Sequence, residues 1–363
     1  MKFGIAFDPH IDRWETIKFA EELGYHRAWV PDSQMLYSDC YAVLALAAAH
    51  TRNIRIGPGM TSPATRTAPV TANAIATINK LAPGRTFLGI ATGHTSMQLL
   101  GHHPTKLAEL REYIRVVRGL LHGDEVDFTF RGKTTRIQFM HRERRYINID
   151  DSIPIFVAAY GPNALALAGE VGDGWVTTGG VTPEAAAKQL STLHAGAQHA
   201  GRTLPADFVA ANSISACVLR PGEKLTDERV VNHTGAIVTT NLHFVYDLWV
   251  LNERNDAVVP QHFADIWLDY IKRVEGYSLP PETRFRQIHH GHAAFFQEEE
   301  RRFITSAGIR AACVVGEPDE IVEQLRKFER AGLNEINVFA PADYQRETLR
   351  EFAEAIMPHF ASD

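Results

Sequence analysis

Residues 153–178 read IPIFVAAYGPNALALAGEVGDGWVTT. An apolar run at 153–159 ends at Tyr160, Gly161 and Pro162, the stretch NALALAGEVG carries helical spacing, and a second apolar run, GWVTT, starts at 174. This is strand, helix and next strand of one βα repeat. Both runs place apolar residues at consecutive positions rather than in alternation, as strands covered on both faces do. The sheet they enter is therefore expected to be parallel.

The same signature recurs six more times, as KFGIAFD from residue 2, RAWVPD from 27, IRIGPGM from 54, TFLGIAT from 86, FVAANSISACV from 208 and EINVFA from 335. Between the runs lie helical segments with ordinary stops. Ile17, Ala20 and Leu23 repeat before Gly24, and Ile321, Leu325 and Phe328 repeat before Gly332. Eight strands separated by helices match a closed (β/α)8 TIM barrel, whereas an open doubly wound sheet has roughly five to seven. The fold class predicted is α/β, one TIM-barrel domain over residues 1–363.

Two excursions interrupt the repeat. After the fourth strand, residues 104–152 form an insertion, a helix with Leu107, Leu110, Ile114, Val117 and Leu121 on one face followed by a hairpin pattern around Arg131 and Gly132. Between strands seven and eight, residues 235–310 hold more helix than one βα unit needs, including the run QIHHGHAAFF. Loops that follow barrel strands gather at the catalytic face, so this second excursion reads as a lid.

Composition narrows the function. The 363 residues carry 37 Lys and Arg against 43 Asp and Glu, a net charge of −6, with 45% hydrophobic residues. A nucleic-acid binder needs clustered positive charge, and a disordered chain is less apolar. No apolar window is long enough for a membrane span, and MKFGIAFDPH enters a strand without a secretory pattern, so a cytoplasmic protein is expected. Cys40, Cys217 and Cys313 are far apart and odd in number, which reads as buried thiols rather than disulfides or a zinc site. Trp29 and Trp175 read as core.

Several strand-end residues carry more specific signals. Gly57, Pro58, Gly59 and Met60 close strand three with backbone freedom that an ordinary strand does not use. Gly161 permits close approach of a ligand, and Pro162 and Asn163 open a helix whose first N–H groups suit an anionic phosphate. Thr177, Thr178, Gly179 and Gly180 end strand six. Thr92, Gly93 and His94 leave strand four, where the histidine can act as acid or base near neutral pH. Asp32 closes strand two and reads either as an orienting carboxylate or as the cap of the following helix. His289, His290 and His292 lack the helical pairing and carboxylate of a zinc hydrolase. They read as polar lining or proton relay, with His290 the candidate catalytic member and no metal expected.

Taken in order, AWVPD (28–32), RIGPGMTSPATR (55–66), TANAIATINKLAPGRTFLGIATG (71–93), AELREYIRVVRGLL (108–121), AAYGPNALALAGEVGDGWVTTGG (158–180) and GEPDEIVEQLRKFERAGLNEINVFAP (316–341) resemble the luciferase-like flavin-dependent oxidoreductases. The flavour is nearest to the branch that uses the deazaflavin F420. The resemblance implies a bulge with a non-prolyl cis peptide at Gly59 and Met60, pressed against the flavin ring. It also implies a flavin-binding set of Gly59, Met60, Thr92, Tyr160, Gly161, Pro162, Asn163, Thr178, Gly179 and Gly180. His94, Asp32 and His290 are the catalytic candidates. F420-dependent sugar-phosphate dehydrogenases carry His after the strand-two Asp and Glu after the strand-four Thr-Gly, whereas this chain has Ser33 and His94.

The function expected is a monooxygenase using reduced FMN and dioxygen on a small organic substrate, with a separate flavin reductase as partner because no GxGxxG nicotinamide motif is present. The alternatives are an F420-dependent reductase or dehydrogenase and a non-catalytic flavin-binding barrel. A homodimer is expected from the resemblance, with neither nucleic acid nor membrane as partner.

Overall fold

The computed structural model describes residues 1–180 and 182–361. Its strands are β1 (Lys2–Ala6), β2 (Arg27–Val30), β3 (Arg55–Pro58), β4 (Leu88–Ile90), β5 (Val126–Phe130), β6 (Lys133–Ile137), β7 (Ile155–Ala158), β8 (Gly174–Thr178), β9 (Val209–Val218), β10 (Cys313–Gly316) and β11 (Glu335–Phe339). The main sheet runs β3-β2-β1-β11-β9-β8-β7-β4. Parallel bridges Ile56↔Thr86 and Thr61↔Ile90 then join the β3 flank to the β4 flank and close the ring. The fold is the (β/α)8 barrel, and its eight ring strands are the eight apolar runs.

β10 is the strand that the sequence reading misses. It pairs in parallel with the second half of β9, from Cys313↔Ser215 to Gly316↔Val218. The four residues CVVG continue directly from the helix Ser306–Ala312 with no Gly or Pro between. A short apolar run joined to a helix has no periodicity of its own. The first excursion contains the helix Leu107–His122 and the antiparallel pair β5–β6, which turns at Arg131 and Gly132.

The chain divides into two compact units. The first is built from Met1–Thr177, the segment ending at Ser213, and Phe328–Asn337. Its interior is a cluster of Trp29, Phe87, Phe156, Val176 and Ala211, with Met60 packed against it. Trp29 and Phe87 lie 4.5 Å apart between ring centroids, and Phe87 and Phe156 lie 5.3 Å apart. Such bulk fits because neighbouring strands offer glycines. A methyl on Gly57 would lie 2.7 Å from the Phe87 ring, and one on Gly174 would lie 2.5 Å from the Phe156 ring. A buried ion pair, Arg27 Nε to Glu335 Oε2 at 3.2 Å, crosses the same interior, and the guanidinium stacks 4.7 Å from the Phe156 centroid.

The second unit comprises Ile214–Lys327, the segment following Asn337, and Thr178–Gly180. Its spine is the helix Glu228–Leu251, packed in a cluster that includes Tyr246, Trp249, Trp267, Tyr270 and Phe303. All three cysteines are buried and unbridged, Cys217 and Cys313 in this unit and Cys40 in the first. No helix among the described residues is long and apolar enough to cross a membrane.

Candidate active site

Strand register brings five carboxyl ends of the first unit into one arc. Val30 pairs with Pro58, Thr61 with Ile90, Ile90 with Val157, and Ala158 with Val176. The residues just beyond those pairs are Asp32, Gly59 and Met60, Thr92, Tyr160 and Thr177. Of the expected site residues, Asp32, Gly59, Met60, Thr92 and Tyr160 therefore follow consecutive neighbours.

Asp32 is buried, and one of its oxygens takes two donors. Thr61 Oγ1 donates to Asp32 Oδ2 at 2.6 Å, and Arg66 Nε donates to the same oxygen at 3.2 Å. Arg66 also donates from Nη2 to Asp39 Oδ2 at 2.5 Å, and its guanidinium lies 4.5 Å from the Tyr41 ring centroid. Burial works against the Arg66 charge, but Asp32 and Asp39 outweigh it and hold the guanidinium above its ordinary value. The network ties the end of β2 to the loop after β3. The helix cap allowed as an alternative for Asp32 belongs instead to Asp39, whose Oδ1 accepts from Ala42 N at 3.0 Å ahead of the helix Cys40–His50.

The Gly59–Met60 peptide is cis. Gly59 N donates to Val30 O at 2.7 Å, Thr61 N to Gly89 O at 3.0 Å, and Ala91 N to Thr61 O at 3.0 Å. The bulge is thus pinned on both sides. Beyond β4, Thr92 is half-buried, Gly93 takes φ 81° as the cap of the short helix His94–Gln98, and His94 is exposed. Glycine suits that left-handed position, and a methyl there would lie 2.7 Å from Ser62 Cβ.

After β7, Tyr160 is half exposed. Gly161 is the N-cap of the helix Pro162–Val171, with Pro162 in its first turn and no side chain capping it. Gly161, Pro162 and Asn163 are exposed, and a methyl on Gly161 would meet nothing within 4 Å. This helix start can receive an anion. On β8, Thr177 is fully buried, and its hydroxyl has no hydrogen-bond partner among the described residues. Thr178, Gly179 and Gly180 belong to the second unit, where Gly180 packs on the Ala311 backbone.

His290 also belongs to the second unit, exposed and edge-on to Phe295 at 5.3 Å. Its neighbours in the run are more embedded. His289 Nε2 lies 2.8 Å from Asp247 Oδ2, and nearby His243 Nε2 lies 2.9 Å from Glu300 Oε1. Burial pushes the His243 pKa down, against the pull of Glu300. Among the described residues, no three His, Cys, Asp or Glu side chains gather as a metal site.

Two pairings in the first unit, one in this arc and one at the amino ends of β2 and β11, escape a sequence reading. Thr61 and Arg66 lie inside the quoted RIGPGMTSPATR stretch, but nothing in their spacing pairs them with Asp32. Arg27 and Glu335 open the strands RAWV and EINVF, and a charge at the head of a largely apolar run is the available signal.

A model of the luciferase-like monooxygenase family matches residues 12–335. The chain belongs to that family. It is 34% identical over 224 residues to 5,10-methylenetetrahydromethanopterin reductase from Archaeoglobus fulgidus, covering 59% of this chain. The match spans 64% of that relative, under two thirds of its length. It is 28% identical over 321 residues to an F420-dependent glucose-6-phosphate dehydrogenase from Mycolicibacterium smegmatis, covering 85% of this chain and 79% of the relative. Among solved luciferase-like structures, the coenzyme F420 dependent tetrahydromethanopterin reductase from Methanopyrus kandleri superposes with a TM-score of 0.72 over 99% of both chains at 21% identity. At that identity the likeness speaks for the fold alone.

Proposed function

We propose that this protein is an F420-dependent oxidoreductase that moves a hydride between the deazaflavin and a small organic substrate. The carrying observation is the 28% identity across 85% of the chain to an enzyme named for F420. This moves the reading from FMN, the first expectation, to its alternative. A deazaflavin supplies two-electron hydride chemistry, and the protein supplies position, electrostatics and exclusion of water.

The residues of the arc suit such a ligand. The Gly59–Met60 bulge offers a ring a face with little side chain on the backbone. Thr177 offers a buried hydroxyl whose bonding capacity is unspent. The open helix start at Gly161 offers backbone N–H groups to a phosphate in the cofactor tail. Asp32, held by Thr61 and Arg66, keeps the β2 and β3 ends in register and is assigned a positioning role. His94 is the group assigned to hold or move a proton at the mouth. A sugar phosphate is not the substrate favoured, because Ser33 and His94 replace the His and Glu of those dehydrogenases.

The test is titration of the purified protein with F420 and with FMN, followed by fluorescence. F420 is expected to bind at least about tenfold tighter. Tighter binding of FMN, or binding of neither, would overturn the proposal.

A further inference from the structure

The interior of the first unit holds a charge that stability alone does not explain. Glu335 is 1% exposed and Arg27 is 3% exposed, and they open strands whose other residues are apolar apart from Asn337. Replacing a buried ion pair by well-packed hydrocarbon is often neutral or stabilising, because desolvation offsets the attraction. What a carboxylate has and a hydrocarbon lacks is two acceptors at a fixed angle. Both are used here. Oε2 faces Arg27 Nε at 3.2 Å, and Oε1 accepts from the Trp29 indole Nε1 at 3.2 Å.

The indole is in turn the surface on which the bulge rests. A methyl on Gly59 would lie 2.7 Å from Trp29 Cβ and 3.3 Å from Trp29 Cε3. A methyl on Gly89, whose carbonyl receives the Thr61 N–H, would lie 3.1 Å from Trp29 Cζ3 and 2.8 Å from Met60 Sδ. At Gly59 the Trp29 side chain meets bare backbone, and at Gly89 it does so beside the Met60 thioether. The close packing of the interior passes a shift of the ring on to the bulge.

We propose that Glu335 is a positioning residue for the ring site, fixing the Trp29 indole and through it the Gly59–Met60 bulge. The inference rests on the proposed function only in naming F420 as the ligand that senses the bulge. Glu335→Gln is the informative change. A glutamine keeps one acceptor and turns a donor toward either the indole or the guanidinium, so either the indole bond or the attraction to Arg27 is lost.

The experiment follows the Gly59 and Gly89 amide resonances of ¹⁵N-glycine-labelled protein, together with F420 affinity, in wild type, E335Q, W29F and the double variant. E335Q and W29F are each expected to move both resonances and to weaken F420 binding about fivefold. In the W29F background, E335Q is expected to change affinity no further, since its effect passes through the indole. Unmoved glycine resonances in E335Q would overturn the proposal, and so would fold-changes that multiply in the double variant. If wild type binds no F420, the functional reading fails and the glycine resonances alone decide the positioning role. If E335Q does not fold, R27M/E335Q removes the unpaired buried charge and is read by the same resonances.

Discussion

Replacing Arg27 with leucine is expected to lower stability by about 3 to 5 kcal/mol, and adding Glu335→Leu is expected to recover most of that loss. The single variant leaves the Glu335 carboxylate in an interior where it is 1% exposed, with the indole of Trp29 as its one remaining donor. It also strips the aromatic trio of a guanidinium that lies 4.7, 5.0 and 5.8 Å from the Phe156, Phe87 and Trp29 centroids. The double variant removes both charges and leaves a hydrocarbon interior. Urea denaturation of the four proteins in this cycle measures the coupling directly. The double variant carries a second consequence. It is expected to fold well yet bind the cofactor more weakly than wild type, because the indole has lost its tether. A double variant as unstable as R27L would show that the pair contributes more than mutual neutralisation.

Gly161→Asp is expected to weaken F420 binding by about tenfold or more, about 1.4 kcal/mol, without destabilising the fold. The position accepts a side chain, since a methyl there would meet nothing within 4 Å. Aspartate is moreover a favoured residue at the N-cap, the place Gly161 occupies ahead of Pro162–Val171, so helix stability is expected to stay level or rise. Only the ligand is harmed. A carboxylate there takes the N–H groups assigned to the phosphate and repels its charge. Gly161→Asn, of the same size but neutral, competes for the same N–H groups without the repulsion and is expected to bind between wild type and Gly161→Asp. Equal affinities for all three proteins, measured by fluorescence titration, would remove the phosphate from this helix.

The fold was legible because a covered parallel strand leaves a strong local mark, an unbroken apolar run between turn residues. KFGIAFD and IPIFVAA show it clearly, and all eight ring strands were found this way. CVVG at 313–316 shows it too, but it follows a helix without punctuation, and its partner in β9 lies about a hundred residues away. The site was legible one residue at a time and not as a network. The bond from the Trp29 indole to Glu335 spans 306 positions, and no periodicity connects residues so far apart. Likewise the sequence leaves Asp32 open as an orienting carboxylate or as the cap of the following helix. Only geometry gives the cap to Asp39 and leaves Asp32 to Thr61 and Arg66. The cofactor was the least legible feature, since FMN and F420 present similar rings to the same backbone, and the lean toward FMN rested on a missing nicotinamide motif. Similarity to an F420 enzyme over most of the chain is positive information, and it weighs more.

The most direct test is a crystal structure of the protein with F420. The ring is expected against the Gly59–Met60 bulge within reach of the Thr177 hydroxyl, with the phosphate on the backbone N–H groups that follow Gly161. Density for the ring elsewhere, such as the apolar groove lined by Met97, His102, His103, Tyr113 and Phe128, would contradict the account.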